Sequence, residues 1–171
     1  MHLEPHIRDV PDWPEPGVVF KDITPLLADP VGFAYAVRSL AEPFAEQGIT
    51  KVVGMEARGF LIGAPVALHL GAGFVPVRKP GKLPRATDSE EYALEYGTDR
   101  LEIHEDAVGS DDRVLVIDDV IATGGTAAAT VRLVERSGAT VVGLGFVIEL
   151  AFLDGAALLA GHEHVSLLTY R

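Results

Sequence analysis

The fold is decided by the stretch Val114-Leu115-Val116-Ile117-Asp118-Asp119-Val120-Ile121-Ala122-Thr123-Gly124-Gly125-Thr126. Its four leading apolar residues predict a buried strand, the Thr-Gly-Gly-Thr segment predicts a tight turn, and the Ala-rich sequence that follows has helical spacing. A strand, a glycine-rich loop and a helix in this order are typical of an open α/β sheet. Ligands of such sheets bind beyond the carboxyl ends of the strands, so we expect the functional site here.

The glycine-rich turn predicts a site for one phosphate group. A turn that opens a helix offers unpaired backbone N–H groups to an anion, and two threonine hydroxyls add donors. The turn lacks the lysine of a P-loop and the spaced glycines of a dinucleotide fingerprint. The residues predicted to bind the phosphate are Ala122, Thr123, Gly124, Gly125 and Thr126.

The acid pair Asp118 and Asp119 predicts contacts of a different kind. Two carboxylates do not favour a phosphate, but they accept hydrogen bonds from hydroxyl groups. An acid pair beside a phosphate site therefore indicates a ribose 5-phosphate ligand. The alternative is that the pair only caps a helix near a tight turn.

Composition limits the class of protein. With 171 residues the chain is expected to form one domain, spanning 1–171, and its formal net charge of −11 argues against nucleic-acid and anionic-membrane partners. Cysteine is absent, and the segment Met1–Pro5 lacks the features of a signal peptide. The apolar stretch Val141–Ala160 contains Glu149 and Asp154, which argues against a membrane span. We therefore expect a cytoplasmic protein.

The order of predicted elements indicates a mostly parallel central sheet flanked by helices. The proline-rich start is expected to be extended, Asp29-Pro30 to begin a helix, and Pro43 to kink or break it. A polar, turn-like excursion at Ala86–Glu91 is expected to lead into a hairpin outside the sheet. The other predicted elements are strands at Lys51–Met55, Gly73–Val77, Thr140–Ile148 and Val165–Thr169 and helices at Phe60–Leu70 and Leu153–Ala160.

A basic run interrupts this acidic chain. Four cations fall within eight residues, and Arg58 stands at the end of another predicted strand. Such a local inversion of charge indicates a segment that handles pyrophosphate, although a solvated basic loop is the alternative. The four cations are Arg78, Lys79, Lys82 and Arg85.

The stretch from Val114 to Thr126 resembles the phosphoribosyl pyrophosphate (PRPP) signature of the type I phosphoribosyltransferases. Three further stretches resemble the adenine-using branch of that family, and the resemblance spans nearly the whole chain. It implies the type I fold with a small N-terminal hood, roughly residues 1–30, and a flexible loop. The three stretches are Pro16–Pro25, Glu56–Phe60 and Arg78–Pro84 with Leu94–Gly97.

The resemblance implies transfer of the phosphoribosyl group from PRPP to adenine, giving AMP and pyrophosphate in purine salvage. It also implies Mg²⁺ that is bound through PRPP rather than by direct protein ligands, with direct or water-mediated contact to Asp118 or Asp119 left open. Arg78 matches a residue that reaches toward a neighbouring subunit, so a homodimer is expected. Arg58, Arg78, Lys79 and Lys82 are expected to bind PRPP, with Arg58 and Lys82 stabilising the leaving group.

Glu95 is singled out by the resemblance as the catalytic acid/base residue, and Tyr96 as a PRPP-binding loop residue that closes over the substrates. Related 6-oxopurine enzymes carry a carboxylate at the position held here by Ala122. The group that relays the purine proton must then come from elsewhere, and Glu95 fills that role. The alternative is that Glu95 is one of several solvated glutamates nearby.

The resemblance also places the adenine pocket. Phe20 and Leu150 match positions that sandwich the base, and Val19 matches one whose backbone reads the amine-bearing edge. An apolar sandwich suits a neutral planar heterocycle. Lys21 stands where some members have Arg, which keeps the charge but loses bidentate bonding, and its role is open.

A second hypothesis is a non-catalytic regulator that binds PRPP on the same fold. Such a regulator needs a surface that binds nucleic acid. The acidic net charge argues against such a surface, and the sequence shows no helix-turn-helix extension.

Overall fold

The structure is a computed structural model that describes residues 1–93 and 97–171. Its strands are β1 (Arg8–Pro11), β2 (Val19–Asp22), β3 (Lys51–Met55), β4 (Gly73–Val77), β5 (Thr87–Ala93), β6 (Thr98–His104), β7 (Arg113–Ile121), β8 (Thr140–Leu150) and β9 (His164–Tyr170). Its helices are α1 (Thr24–Ala28), α2 (Pro30–Ala41), α3 (Arg58–Leu70) and α4 (Gly125–Arg136). Short 3-10 turns occupy Glu4–His6, Glu42–Phe44, Ala151–Leu153 and Gly155–Leu159.

The central sheet has five parallel strands in the order β4-β3-β7-β8-β9. The chain moves outward from β3 to β4 on one side and from β7 to β9 on the other, so the strand order reverses between β3 and β7. The carboxyl ends of the strands at such a reversal open the crevice in which α/β proteins bind ligands. The predicted parallel α/β arrangement is confirmed, and the segments after β3 and β7 lie side by side.

Both faces of the sheet are covered by apolar side chains. Successive residues of a strand point to opposite faces, and β7 shows this directly. Val114 and Val116 pack with α4 and the β5–β6 strands, whereas Leu115 and Ile117 pack with α2 and α3. All four are fully buried, so the strand that carries the acid pair is held from both sides.

The helix after Asp29 begins and ends where the sequence predicts. The Asp29 carboxylate accepts the N–H of Gly32 at 2.8 Å, and Pro30 occupies the first turn. The helix ends at Ala41, and Pro43 lies in the 3-10 turn that follows. The predicted break is confirmed, because proline has no N–H to continue the helical ladder.

The prediction of a turn-like excursion at Ala86–Glu91 is wrong. Most of this segment belongs to β5, which pairs with β6 in an antiparallel hairpin outside the central sheet, as predicted. The polar side chains of the strand are matched by helix α4. Glu90 accepts from Arg132 at 2.5 Å and from Arg136 at 2.7 Å, and Asp88 lies 2.9 Å from Arg136.

The short helix predicted at Leu153–Ala160 is present as the 3-10 helix Gly155–Leu159, so its position is confirmed, but it is not an α-helix. Its course is set by Gly155, whose backbone lies against the loop between β7 and α4. A Cβ atom at Gly155 would lie 2.7 Å from the Gly124 nitrogen. The segment has to bring bare backbone to the loop, and a regular helix would interpose side chains.

The N-terminal segment forms the antiparallel β1–β2 hairpin, a sheet of its own beside the central one. Its extended backbone agrees with the prediction for the proline-rich start, whereas Glu4–His6 depart from it and form a 3-10 turn. In residues 1–93 and 97–171 no helix combines the length and apolar character needed to cross a membrane.

Candidate functional site

Two cavities lie at the carboxyl end of the sheet. The larger, of about 350 Å³, lies between the β1–β2 hairpin and the ends of β3, β7 and β8. The smaller, of about 80 Å³, lies within the loop that joins β7 to α4. Asp118, Ala122 and Thr126 line both cavities, so the two form one continuous site.

The smaller cavity is built by the glycine-rich loop. Helix α4 begins at Gly125, so the first backbone N–H groups of the helix have no partner within it. Gly124 has a φ of +80°, and a Cβ atom there would overlap the Gly155 carbonyl. Only glycine fits this turn. All five residues predicted to bind the phosphate line the cavity, namely Ala122, Thr123, Gly124, Gly125 and Thr126.

The acid pair lies where the two cavities meet. Asp118 accepts the N–H of Asp119 at 2.9 Å and packs against Gly59, where a Cβ atom would lie 2.7 Å from the carboxylate. Burial raises the pKa of Asp118, and the negative charge of Asp119 raises that pKa further. The Asp119 carboxylate is buried and is paired with Arg58. Of the two adjacent acids at the centre of the site, Asp119 is thus the one that is paired with a cation.

Arg58 is the first residue of α3, three positions after Met55 at the end of β3. Its guanidinium pairs with Asp119 and lies 4.8 Å from the centroid of the Phe20 ring. The side chain is less than half exposed. Arg58 thus connects the acid pair to the hairpin wall of the larger cavity.

The basic segment after β4 is held by a carboxylate that sequence reasoning did not assign a role. The side chain of Glu56, which is 10% exposed, accepts the N–H of Lys79 at 2.8 Å and a guanidinium N–H of Arg78 at 3.3 Å, and it pairs with Lys82. Burial alone would raise the pKa of Glu56, but the hydrogen bonds from Lys82 and Lys79 hold it below its ordinary value. Glu56 is therefore an anion that gathers three predicted ligand-binding residues.

Glu56 and Lys79 line the larger cavity, whereas Arg78 and Lys82 are held next to it through Glu56. The ammonium group of Lys79 pairs with Asp99, which also accepts the Tyr92 hydroxyl at 3.1 Å. The position of Glu56 in the Glu-Ala-Arg-Gly motif was the available signal. Glu56 was not selected because a negatively charged side chain is not expected at a site that binds an anion.

The predicted base-binding residues come together. Val19, Phe20 and Leu150 all line the larger cavity, Phe20 from the hairpin and Leu150 from the last position of β8. Trp13 meets the Phe20 ring edge-on at 4.4 Å between centroids. An aromatic and an aliphatic side chain on facing elements make a slot suited to a flat base.

The two predicted residues Glu95 and Tyr96 lie outside the described part of the chain, together with Leu94. Strand β5 before them reaches the site. Tyr92 lines the larger cavity, and a Cβ atom at Gly125 would lie 3.1 Å from the Tyr92 ring. Sequence reasoning did not select Tyr92, although it predicted a hairpin directly after Ala86–Glu91.

The chain matches a known protein family. Residues 27–156 match the family model of the phosphoribosyl transferase domain. The matched range contains β3, β7 and the glycine-rich loop, whereas the β1–β2 hairpin precedes it.

Three relatives of this chain are adenine phosphoribosyltransferases. The adenine phosphoribosyltransferase of Myxococcus xanthus is 57% identical over 98% of this chain and 91% of its own. The crystal structure of the Rhodothermus marinus adenine phosphoribosyltransferase is 58% identical with a TM-score of 0.95, covering 98% of this chain and 96% of that one. The Saccharomyces cerevisiae enzyme, in complex with adenine and an imino-altritol bisphosphate, is 40% identical with a TM-score of 0.91, covering 97% and 96%. The chain belongs to the adenine phosphoribosyltransferase family.

Proposed function

We propose that the protein transfers the 5-phosphoribosyl group from PRPP to adenine, forming AMP and releasing pyrophosphate, and so serves purine salvage. The observation that carries this proposal is the continuity of the site. The larger cavity, which contains the slot for a flat base, joins the smaller cavity in the glycine-rich loop, and the two carboxylates lie where they meet. The slot, the carboxylates and the smaller cavity match the base, the ribose hydroxyls and the 5-phosphate of AMP in that order. The yeast relative binds adenine together with a bisphosphate, which agrees with this division.

The chemistry follows from the charges around the site. The bond between C1 of the ribose and pyrophosphate breaks as a bond to the purine ring nitrogen forms, through a transition state with oxocarbenium character. Arg58 and Lys82 stabilise the charge on the leaving pyrophosphate, and Arg78 and Lys79 assist its binding. Each of these cations has a carboxylate partner in the structure. When PRPP binds, each cation therefore exchanges a carboxylate for a phosphate oxygen. This exchange lowers the free-energy cost of desolvating the cations.

Proton transfer is assigned by resemblance to Glu95, which takes the proton released by the purine nitrogen, while Tyr96 closes over the substrates. Both residues lie outside the described part of the chain. Ala122 lines both cavities and offers only a methyl group, so it supplies no proton acceptor.

Magnesium fits the donor set. Asp118 and Asp119 provide the hard oxygen atoms that Mg²⁺ prefers, and the described residues contain no group of three or more histidine or acidic side chains arranged as a metal site. Mg²⁺ carried by PRPP would be held at the acid pair and would neutralise charge on the pyrophosphate.

The experiment that tests the proposal offers the protein PRPP, Mg²⁺ and one nucleobase at a time, with products separated by chromatography. We expect AMP with adenine and no nucleotide with uracil or cytosine. Absence of AMP at micromolar protein concentration would reject the proposal.

The acid pair gives a first prediction. In the double variant Asp118→Asn and Asp119→Asn, kcat/KM for PRPP should fall at least tenfold, about 1.4 kcal/mol, because both charged acceptors for the ribose hydroxyls are lost. The thermal unfolding midpoint should not fall in parallel, because the change also removes like-charge repulsion at a buried position. The matched control is Glu42→Gln with Glu46→Gln, which removes two charges from an exposed turn. Wild-type kinetics in the folded double variant would refute the assignment.

A homodimer is also proposed, in which Arg78 reaches toward the neighbouring site. Arg78 lies 5.9 Å from the Phe60 ring at the start of α3, and the same helix exposes Leu61 by 52% and Leu68 by 83%. Light scattering should give twice the chain mass of 18.2 kDa. Leu61→Glu should shift the protein toward monomer, whereas Leu158→Glu, at an exposed leucine of the last 3-10 turn, should not. A wild-type monomer with full activity would contradict the proposal.

A further inference from the structure

The width of the base slot depends on how the β1–β2 hairpin is attached to the central sheet. Phe20 on the hairpin forms one wall, and Leu150 at the end of β8 forms the other. Among residues 1–93 and 97–171 the hairpin forms a separate two-stranded sheet, and no backbone ladder there joins these walls. The gap between them is therefore set by side chains that cross from the hairpin to the body of the protein.

Lys21 makes such a crossing. Its side chain is only 13% exposed, and its ammonium group lies 2.7 Å from the Asp9 carboxylate on the opposite strand of the hairpin. The same ammonium group lies 4.0 Å from the centroid of the Tyr170 ring on β9. This distance is within the range of a cation–π interaction, and the low exposure strengthens the attraction.

Tyr170 connects this contact to the far wall of the slot. In the parallel pairing of β8 with β9, Tyr170 is the register partner of Leu150. The Lys21 ammonium group, which is held to the hairpin by Asp9, thus contacts the residue that pairs with Leu150. Lys21 itself follows Phe20 in β2, so one short path joins both walls.

The other cationic contact to the hairpin is not available throughout the reaction. Arg58 lies over the Phe20 ring, but it also pairs with Asp119 and is assigned to the pyrophosphate. An arginine that changes partner when PRPP binds cannot hold the hairpin in one place. Lys21 has no such second assignment.

We propose that Lys21 is a positioning residue whose contacts with Tyr170 and Asp9 set the spacing of the adenine slot. This inference rests on the proposed function and gives a role to Lys21, which lines the larger cavity beside Phe20. It predicts a defect confined to adenine, because the PRPP residues lie on β7, the glycine-rich loop and the segments after β3 and β4.

The test compares Lys21→Met, Lys21→Arg and Lys51→Met by steady-state kinetics. Lys21→Met should raise KM for adenine at least fivefold while KM for PRPP and kcat change less than twofold. Lys21→Arg keeps a cation over the Tyr170 ring and should recover most of the adenine KM. Lys51 starts β3 at the opposite end of the sheet, so Lys51→Met controls for loss of one positive charge.

Three further variants test whether the effect of Lys21 passes through Tyr170. Tyr170→Leu should raise KM for adenine as Lys21→Met does, Tyr170→Phe should not, and the Lys21→Met Tyr170→Leu double variant should show no further rise. Unchanged KM for adenine in Lys21→Met, or an equal rise in both KM values, would overturn the inference.

A readout without turnover separates this inference from the proposed function. Trp13 is the sole tryptophan and contacts Phe20 within the hairpin. Acrylamide quenching of Trp13 should increase in Lys21→Met and stay at the wild-type level in Lys21→Arg and Lys51→Met. A wild-type protein that makes no AMP rejects the proposed function alone, and unchanged quenching in Lys21→Met rejects the attachment whatever the activity.

Discussion

Gly155→Ala is expected to reduce phosphoribosyl transfer at least 100-fold. A Cβ atom at this position would lie 2.7 Å from the Gly124 nitrogen and 2.8 Å from the Thr123 carbonyl carbon. Both neighbours are backbone atoms of the glycine-rich loop, so the clash cannot be relieved by turning a side chain. Either the 3-10 turns move away or the loop opens, and each change moves N–H groups away from the positions proposed to bind phosphate. The fold change corresponds to about 2.7 kcal/mol of transition-state stabilisation.

The reciprocal variant Gly124→Ala should behave in the same way, because its Cβ atom would overlap the Gly155 carbonyl. Gly124 also has a φ of +80°, so strain must be separated from the clash. Gly71→Ala is the matched control, since Gly71 has a φ of +66° and no atom of the described residues lies within 4 Å of its Cβ position. Gly71→Ala should lose only about 1 kcal/mol of stability and keep full activity. Full activity in Gly155→Ala would show that the glycine-rich loop is not the phosphate site.

Adenine is expected to be used at least 100-fold more efficiently than hypoxanthine or guanine, in kcat/KM. In the pairing of β1 with β2, Val19 stands opposite Pro11, which has no N–H to donate to the Val19 carbonyl. The half-exposed Val19 lines the cavity, and its backbone is assigned to the amine-bearing edge of the base. A 6-oxo base presents an oxygen and an N–H where adenine presents an amine and a lone pair. Each mismatched buried group costs about 1–3 kcal/mol, so two mismatches account for the discrimination.

A competition assay measures this selectivity. Equal concentrations of adenine and hypoxanthine are mixed with limiting PRPP, and AMP and inosine monophosphate are quantified by mass spectrometry. Comparable yields would mean that Phe20 and Leu150 grip any purine and that backbone readout at Val19 is absent. That outcome would overturn the specificity while leaving phosphoribosyl transfer intact.

The sequence predicts the central sheet well because its signals are local. The strands Lys51–Met55 and Gly73–Val77 have the predicted bounds, since short apolar runs next to glycine are typical of buried parallel strands. The break before Pro43 follows from proline chemistry alone. The glycine-rich loop is also a local feature, and all of its predicted residues line one cavity.

The features that the sequence does not predict depend on partners that are distant in sequence. Asp88 and Glu90 suggest a turn when taken alone, yet they sit in a strand because arginines of α4, more than forty positions later, supply their countercharges. The 3-10 course around Gly155 is set by its fit against the phosphate loop. Glu56 acquires its role only when the segment after β4 folds back onto the end of β3. No local pattern encodes these contacts, because each joins elements that the fold brings together.

A regulator that binds PRPP without turnover is the alternative for a site of this shape, and the similarity of nearly the whole chain to adenine phosphoribosyltransferases does not favour it. The two hypotheses differ in the fate of the bond between C1 and pyrophosphate. A catalyst forms one pyrophosphate for each AMP, whereas a regulator leaves PRPP intact.

The most direct test of the central claim is therefore the simultaneous measurement of AMP and pyrophosphate from wild-type protein with PRPP, Mg²⁺ and excess adenine. We expect the two products to appear in a 1:1 ratio over many turnovers, and to appear only when adenine is present. Saturable binding of PRPP with neither product formed, or pyrophosphate released without AMP, would contradict the assignment of phosphoribosyl transfer to adenine.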